Sequence, residues 1–462
     1  MSRPAITEKF LQSAARRGYA TAPVKTARMP PGIFYIVANE AAERFSFYGM
    51  SAILTAFMVH NLCDAAGAPA PMSKSDAVAY SSLFVSAVYF TPFLGAVVSD
   101  AFLGKFRTVV ILSIVYCFGH LALSLNATRA GLLVGLSLIA LGAGGIKPCV
   151  SSNVGDQFGA DNQHLMPRVF GWFYFAINFG AFISQWTIPI LLKNKGPHVA
   201  FGVPGILMLA ATVIFWLGRR RFVHIPPGGN SILKDAFSRE GRGLIARLAV
   251  VYMLFAVFWS LYYQTTSAWV LQADEMDRHW LGHDWLSPQL QAINSILILV
   301  FIPLFSYAIY PAAGRFFKLT PLRKISIGFF MTVPSFLITA WVEKQISRGL
   351  HPGIVWQFMA YVFITAAEIL VSITGLEFSY TQAPRKMKSF VMALYFGSIT
   401  LGTFFTYLVN KLNAHDGKLY LEGAAYYMFF TWLMLAASVL FIVVALKFKS
   451  QTFIQDESPA HP

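Results

Sequence analysis

Charge is scarce in this chain: only 12% of its 462 residues are Asp, Glu, Lys or Arg, against a hydrophobic share of 56% and a mean hydropathy of +0.57. An ordinary soluble domain carries about 25% charged residues, so this balance excludes one and points to a polytopic membrane protein. Cysteine is scarcer still. Cys63, Cys117 and Cys149 are an odd number, scattered over a loop and two apolar stretches, and supply neither a disulfide framework nor metal-ligand spacing. The first 31 residues hold Arg3, Lys9, Arg16, Arg17, Lys25 and Arg28 without a continuous apolar run, so no cleavable secretory signal is expected there and the first apolar stretch should direct insertion itself. The apolar stretches also lack a nucleophile with a base, which argues against a membrane-embedded enzyme.

What is present is a series of apolar windows of about 20 residues or more, the length needed to span a bilayer. They fall near 33–59, 77–99, 108–128, 131–153, 166–192 and 199–218, then near 245–271, 288–312, 322–342, 354–377, 389–410 and 424–446. Twelve helices in two groups of six are therefore expected. The net charge of +15 would suit a nucleic-acid partner, but most of the 36 Lys and Arg residues fall in the amino-terminal tail, the even-numbered connections and the carboxyl-terminal tail, with few in the odd-numbered connections. That asymmetry is the positive-inside pattern; it predicts both termini in the cytoplasm of a cell (inner) membrane protein and no nucleic-acid partner, with attraction to anionic inner-leaflet lipid as a secondary effect.

The expected organisation is a cytoplasmic tail (1–31), a six-helix bundle (32–218), a cytoplasmic linker (219–243), a second six-helix bundle (244–448) and a short tail (449–462). The linker carries Arg219 to Arg221, Pro226, Pro227, Gly228 and Gly229, and is too short and polar to hide a membrane-crossing hairpin, which needs about 40 residues. An all-α membrane protein of the major facilitator fold follows, with substrate expected near the midplane between the halves.

Charges inside the spans stand out against this background. Glu40, Glu43 and Arg44 share one face of the first window, with Tyr48 one turn further on. Charge at bilayer depth costs several kcal/mol and marks substrate or proton pathways. An inert buried ion pair is the bland alternative, but pairing Arg44 needs only one of the two carboxylates. Lys147 follows Gly144 and Gly145, whose small size permits close helix approach. A buried ammonium calls for a carboxylate neighbour, Glu43 being the candidate, or else snorkels to the inner surface. Glu368 lies inside the tenth window with Ser372 at i+4, while Glu377 lies nearer the cytoplasmic end. A lone His120 in the third window reads as a locally hydrogen-bonded packing residue.

The turn GAVVSDAFLGKFR, with Gly95, Asp100, Gly104, Lys105 and Arg107, resembles the loop motif of the major facilitator superfamily, in which acid and base clasp neighbouring helix ends. EAAERFSFYG (Glu40 to Gly49), GAGGIKP (Gly142 to Pro148), FYFAINFGA (Phe173 to Ala181), FWSLYYQ and GLEFSYTQAPRKMKS then resemble, in order from the first span to the eleventh, the motifs of the proton-dependent oligopeptide transporter (POT/PTR) family. That resemblance implies a proton-coupled symporter importing di- and tripeptides by alternating access, without cofactor beyond the coupling proton and with a monomer as the functional unit. It places the first and fourth helices together and implies a proton-coupling set of Glu40, Glu43, Lys147 and Glu368. Arg44 and Lys147 are then cations for a peptide carboxylate, and Glu368 with Ser372 the site for its amine. Tyr48, Tyr89, Tyr174, Asn178 and Asn294 match positions of neutral polar contact, and Trp259 and Tyr395 match aromatic positions of side-chain pockets.

The chain departs from the family pattern at Ser51, where many members carry a basic residue, and at Tyr263, where many carry an acid. Joint loss of that pair reads as a charged gate contact replaced by neutral packing. The alternatives are a same-fold carrier of another small solute (an amino acid, nitrate or a drug-like molecule) and a transporter-like nutrient receptor. Glu368 argues against a simple anion, which needs no partner for an ammonium group, and the short tail after Phe448 argues against a receptor.

Overall fold

The computed structural model describes residues 3–23, 25–227, 239–382, 388–415, 418–419 and 421–448. A surface helix, α1 (Arg3–Arg17), precedes the front helices α2 (Ile33–His60), α3 (Lys74–Val98), α4 (Lys105–Leu125) and α5 (Arg129–Asp156). The run α6 (Met166–Leu217) holds 52 residues, about 78 Å of helix against a hydrocarbon core of about 30 Å, so it must be two crossings. Gly196, at φ 79°, with Pro197 after it, breaks the run at its middle.

In the rear half, α7 (Arg239–Tyr262) leads through a tight turn into α8 (Ala268–Asp274), and α9 (Gln291–Leu304) through a π-helical turn into α10 (Tyr310–Gly314). Then come α11 (Pro321–Ile346), α12 (Val355–Glu368), a second π-helical turn over Ile369–Ile373, α13 (Thr374–Thr381), α14 (Lys388–Asn413) and α15 (Ala424–Lys447). Among the described residues ten helical stretches are long and apolar enough to cross a membrane. One of them is the double crossing at Gly196, and α2 falls outside the ten, its apolar run being interrupted by Glu40, Glu43 and Arg44. Twelve crossings result, as the windows predict.

The apolar side chains sort into two large cores. One gathers residues from Ile33 to Phe222 and the other residues from Leu248 to Phe441, with Val78 joining the second. Leu125, Leu133, Phe118 and Leu446 point outward and are exposed, as expected of side chains that meet lipid tails rather than water. Where α3 crosses α5 the backbones nearly touch: a Cβ on Gly95 would stand 2.5 Å from the Gly145 Cα, and one on Gly144 would overlap the Thr91 hydroxyl. The glycines expected to permit close approach do so here.

Between the halves, α3 runs along α14 and α6 along α9. At the end carrying the α2–α3 connection, Lys411 Nζ lies 2.6 Å from Asp76, Lys74 Nζ 2.8 Å from Glu275 and His60 Nε2 3.1 Å from Asp274. All ion pairs that cross between the halves, among the described residues, lie at this end. The opposite end shows two further contacts. In the loop motif, Lys105 donates to Asp156 of α5 at 2.6 Å and Arg107 to Ser13 of α1 at 3.0 Å; the Asp100 side chain lies outside the described residues. The amino-terminal tail contains helix α1 and is tied to the start of the linker, where the His224 amide donates to Ala20 O at 2.8 Å and the Tyr19 ring stacks on His224 at 4.3 Å. The remainder of the linker, 228–238, and the tail 449–462 lie outside the described residues.

Candidate functional site

Because helix α2 places residues four apart one above another, the Arg44 Nε reaches Glu40 Oε1 at 2.7 Å; it also lies 2.9 Å from Glu43 Oε2. One guanidinium thus serves two carboxylates, and all three residues are buried. Glu43 is only 1% exposed and neither of its oxygens has a partner in good hydrogen-bond geometry. Lys147, from α5, does not take the expected direct pairing with Glu43. Its ammonium stands 4.5 Å from the centre of the Phe47 ring and 4.4 Å from that of Tyr89, held by two π faces. The physical reason is competition: Arg44, the next residue in the chain after Glu43, already faces the carboxylate, and the rings offer the ammonium a contact that needs no acid. His120 meets Ser46 Oγ through Nε2 at 2.8 Å and stacks on Tyr116, the packing arrangement expected of it.

A cavity of about 250 Å³ lies between the halves. The front helices contribute Tyr48, Tyr89, Tyr174 and Asn178 to its wall, and the rear helices Trp259, Asn294, Glu368, Ser372 and Tyr395. Glu40, Glu43, Arg44 and Lys147 do not line it, which corrects the expectation of one chamber shared by Arg44, Lys147 and Glu368; Phe47 and Tyr89, the rings that hold Lys147, form that part of the wall instead.

Glu368 closes α12 and its Oε2 accepts from Asn294 Nδ2 at 2.8 Å; the same amide reaches Thr365 Oγ1 at 3.0 Å. The π-helical turn that follows frees backbone carbonyls, and Tyr395 OH donates to Ser372 O at 3.2 Å. Ser51 and Tyr263, the positions of the missing charged pair, both line the cavity, where Tyr263 packs 5.7 Å from Tyr89 and 5.9 Å from Trp259. Neutral aromatic packing occupies that place, as the sequence departures imply.

Sequence reasoning missed the uncharged polar ties across the cavity: Ser295 Oγ donates to Gln185 Oε1 at 2.9 Å and Gln291 Nε2 to Ala52 O at 3.1 Å. Glutamines inside apolar windows were the signal available for both. Among the described residues no three His, Cys, Asp or Glu gather as a metal site would require.

Two helical bundles closing on a polar, aromatic cavity at membrane depth, with buried charges beside it, define a membrane transporter of the major facilitator fold. The family model described as POT family matches residues 106–240 and 237–422. The chain is similar to rat (Rattus norvegicus) Solute carrier family 15 member 2, with 35% identity over 75% of this chain and 54% of the relative. It is similar also to Peptide transporter family 1 of Drosophila melanogaster, with 34% identity over 70% of this chain and 49% of the relative. The chain thus spans about half the length of these curated relatives. Among solved structures it resembles the POT family transporter PepTSo, with a TM-score of 0.82 and 33% identity over 91% of this chain and 98% of that one. An auto-inhibited POT family peptide transporter gives a TM-score of 0.83 and 31% identity over 93% and 99%. The chain belongs to the POT family.

Proposed function

We propose that the protein is a proton-coupled symporter that carries di- and tripeptides across the cell (inner) membrane by alternating exposure of the central cavity, working as a monomer with both termini in the cytoplasm. The observation that carries this reading is the cavity of about 250 Å³ with the Glu368 carboxylate on its rear wall and the Lys147 ammonium just behind the aromatic front wall. Charges of opposite sign on opposite sides suit a short zwitterion. Two residues extend to about 7 Å, and each further residue adds up to about 3.5 Å, so a long chain does not fit. The peptide amine exchanges with the Asn294 amide at Glu368; its carboxylate draws on Lys147 and Arg44, which requires the Phe47 and Tyr89 rings to turn aside. The Drosophila relative named a peptide transporter and the gathering of the apolar side chains into two large cores support the same reading.

Coupling follows from charge counting. Glu40, Glu43, Arg44 and Lys147 together are neutral when all are ionised. A proton taken up by Glu43, whose oxygens have no hydrogen bond to lose, leaves the cluster one positive charge in excess, and the peptide carboxylate balances it. Departure of the peptide restores the excess and expels the proton. A membrane potential supplies about 2.3 kcal/mol per charge per 100 mV to each inward cycle.

The test is uptake of a labelled dipeptide into proteoliposomes under an imposed inward proton gradient, competed by tripeptides, single amino acids and nitrate. Accumulation competed by tripeptides supports the proposal; competition by nitrate or by amino acids alone selects the other small-solute carrier. Glu43→Gln should lose gradient-driven accumulation while keeping counterflow, and unchanged accumulation refutes its assignment.

A further inference from the structure

A second cavity, of about 560 Å³, lies on the flank of the front half between α3 and α5. Its walls are Leu83, Phe84, Leu132, Leu133, Leu136 and Ala140, and Lys411 of α14 roofs one end beside Asp76 and Arg129. We infer that this groove is a binding site for one acyl chain of an anionic phospholipid, with the phosphate at Arg129 and Lys411.

The dimensions fit one leaflet. Arg129 to Ala140 on α5 is eleven residues of rise, about 16 Å, and half of the hydrocarbon core is about 15 Å. The polar groups stand at the end where a headgroup lies and the apolar ones extend toward mid-membrane: Arg129 opens the helix, Leu132, Leu133 and Leu136 follow at successive turns, and Ala140 ends the groove. Charge selects the headgroup. Lys411 is bonded to Asp76 at 2.6 Å and its ammonium covers the Tyr80 ring at 4.5 Å, so that pair is neutral, while the exposed Arg129 adds one positive charge beside it. A phosphodiester with one negative charge neutralises the cluster; a zwitterionic headgroup leaves its own cation next to Arg129. The site is independent of what the central cavity carries, because its lining is separate from the residues named there.

The test uses the full chain purified in neutral detergent, mixed with phosphatidylglycerol or phosphatidylcholine of matched chains, and reads retained lipid by native mass spectrometry. The wild-type protein should retain one phosphatidylglycerol in preference to phosphatidylcholine. Arg129→Gln should lower that preference roughly five-fold, since a basic residue at a charged surface contributes about that factor. Ser137→Trp, placed in the groove wall, should displace the lipid of either headgroup, and unfolding midpoints close to wild type would show that the variants are folded. Equal retention of the two lipids by the wild type, or an unchanged preference in Arg129→Gln, overturns the inference; so does lipid retained in full by folded Ser137→Trp.

Discussion

Replacing Arg44 by Met removes one charge from a nearly water-free cluster. The guanidinium lies 2.7 Å from Glu40 and 2.9 Å from Glu43, and the three side chains are 10%, 5% and 1% exposed. Its loss leaves two carboxylates opposite Lys147 alone, an excess of one negative charge at membrane depth. Deleting one partner of a buried ion pair costs about 3–5 kcal/mol, most of it the stranded charge rather than the lost contact. If that is the origin of the cost, a second change that removes the excess charge must recover it. Arg44→Met with Glu43→Gln leaves Glu40 and Lys147, which is neutral again, and should regain about 2 kcal/mol or more over Arg44→Met alone, a coupling within the range of contacting residues. Unfolding midpoints of the purified variants in mixed micelles, completed as a double-mutant cycle with Glu43→Gln, measure that coupling. A double variant no more stable than Arg44→Met would mean that packing and not charge holds the cluster, and the charge counting behind the coupling scheme would fall with it.

Gly144→Val should destabilise the front bundle by about 1–3 kcal/mol, read as a lower unfolding midpoint, because a side chain there overlaps Thr91 and pushes α5 off α3. Lys74→Ala should change stability by less than about 1 kcal/mol, since the Lys74 and Glu275 side chains are 57% and 46% exposed and water screens the pair. The α1 clasp should loosen in acid. Burial holds the His224 imidazole below its usual 6.5, with the Arg219 carbonyl opposing the shift and Arg107 adding to it. The neutral ring is therefore the folded form, and the stability it contributes is full above the usual value and falls as pH drops below it. Proteolysis within residues 3–20 should quicken on acidification, and His224→Gln should flatten that dependence.

The twelve crossings were legible because a long apolar run has few other uses, and Glu368 because a charge inside one is rare enough to mark a site; the uncharged side chains that share the cavity wall with it were indicated by the family resemblance instead. The contacts among those charges were not legible. Whether Glu43 meets Arg44 or Lys147 depends on side-chain geometry a few ångström across, and Lys147 settled on the rings of Phe47, to which the sequence reading gave no role of its own, and of Tyr89, which it assigned to neutral polar contact. Helix α1 was read as tail because its residues are mostly polar and its partners, Arg107 and the start of the linker, are distant in sequence. The π-helical turns add a residue to a turn without any change in hydropathy period, so no pattern announces them.

The turn at Ile369–Ile373 divides one membrane crossing into two separately anchored rods. Above it, α12 is anchored by Tyr361 and by the Asn294 tie to Glu368; below it, α13 is held by the Tyr252 phenol, which donates to Ser379 Oγ at 2.8 Å, and between them the Tyr395 phenol donates to the Ser372 carbonyl. A joint of this kind lets the lower rod pivot while the carboxylate above stays at its post. Rocking at one mouth of the cavity can then proceed without dragging the Glu368 carboxylate along.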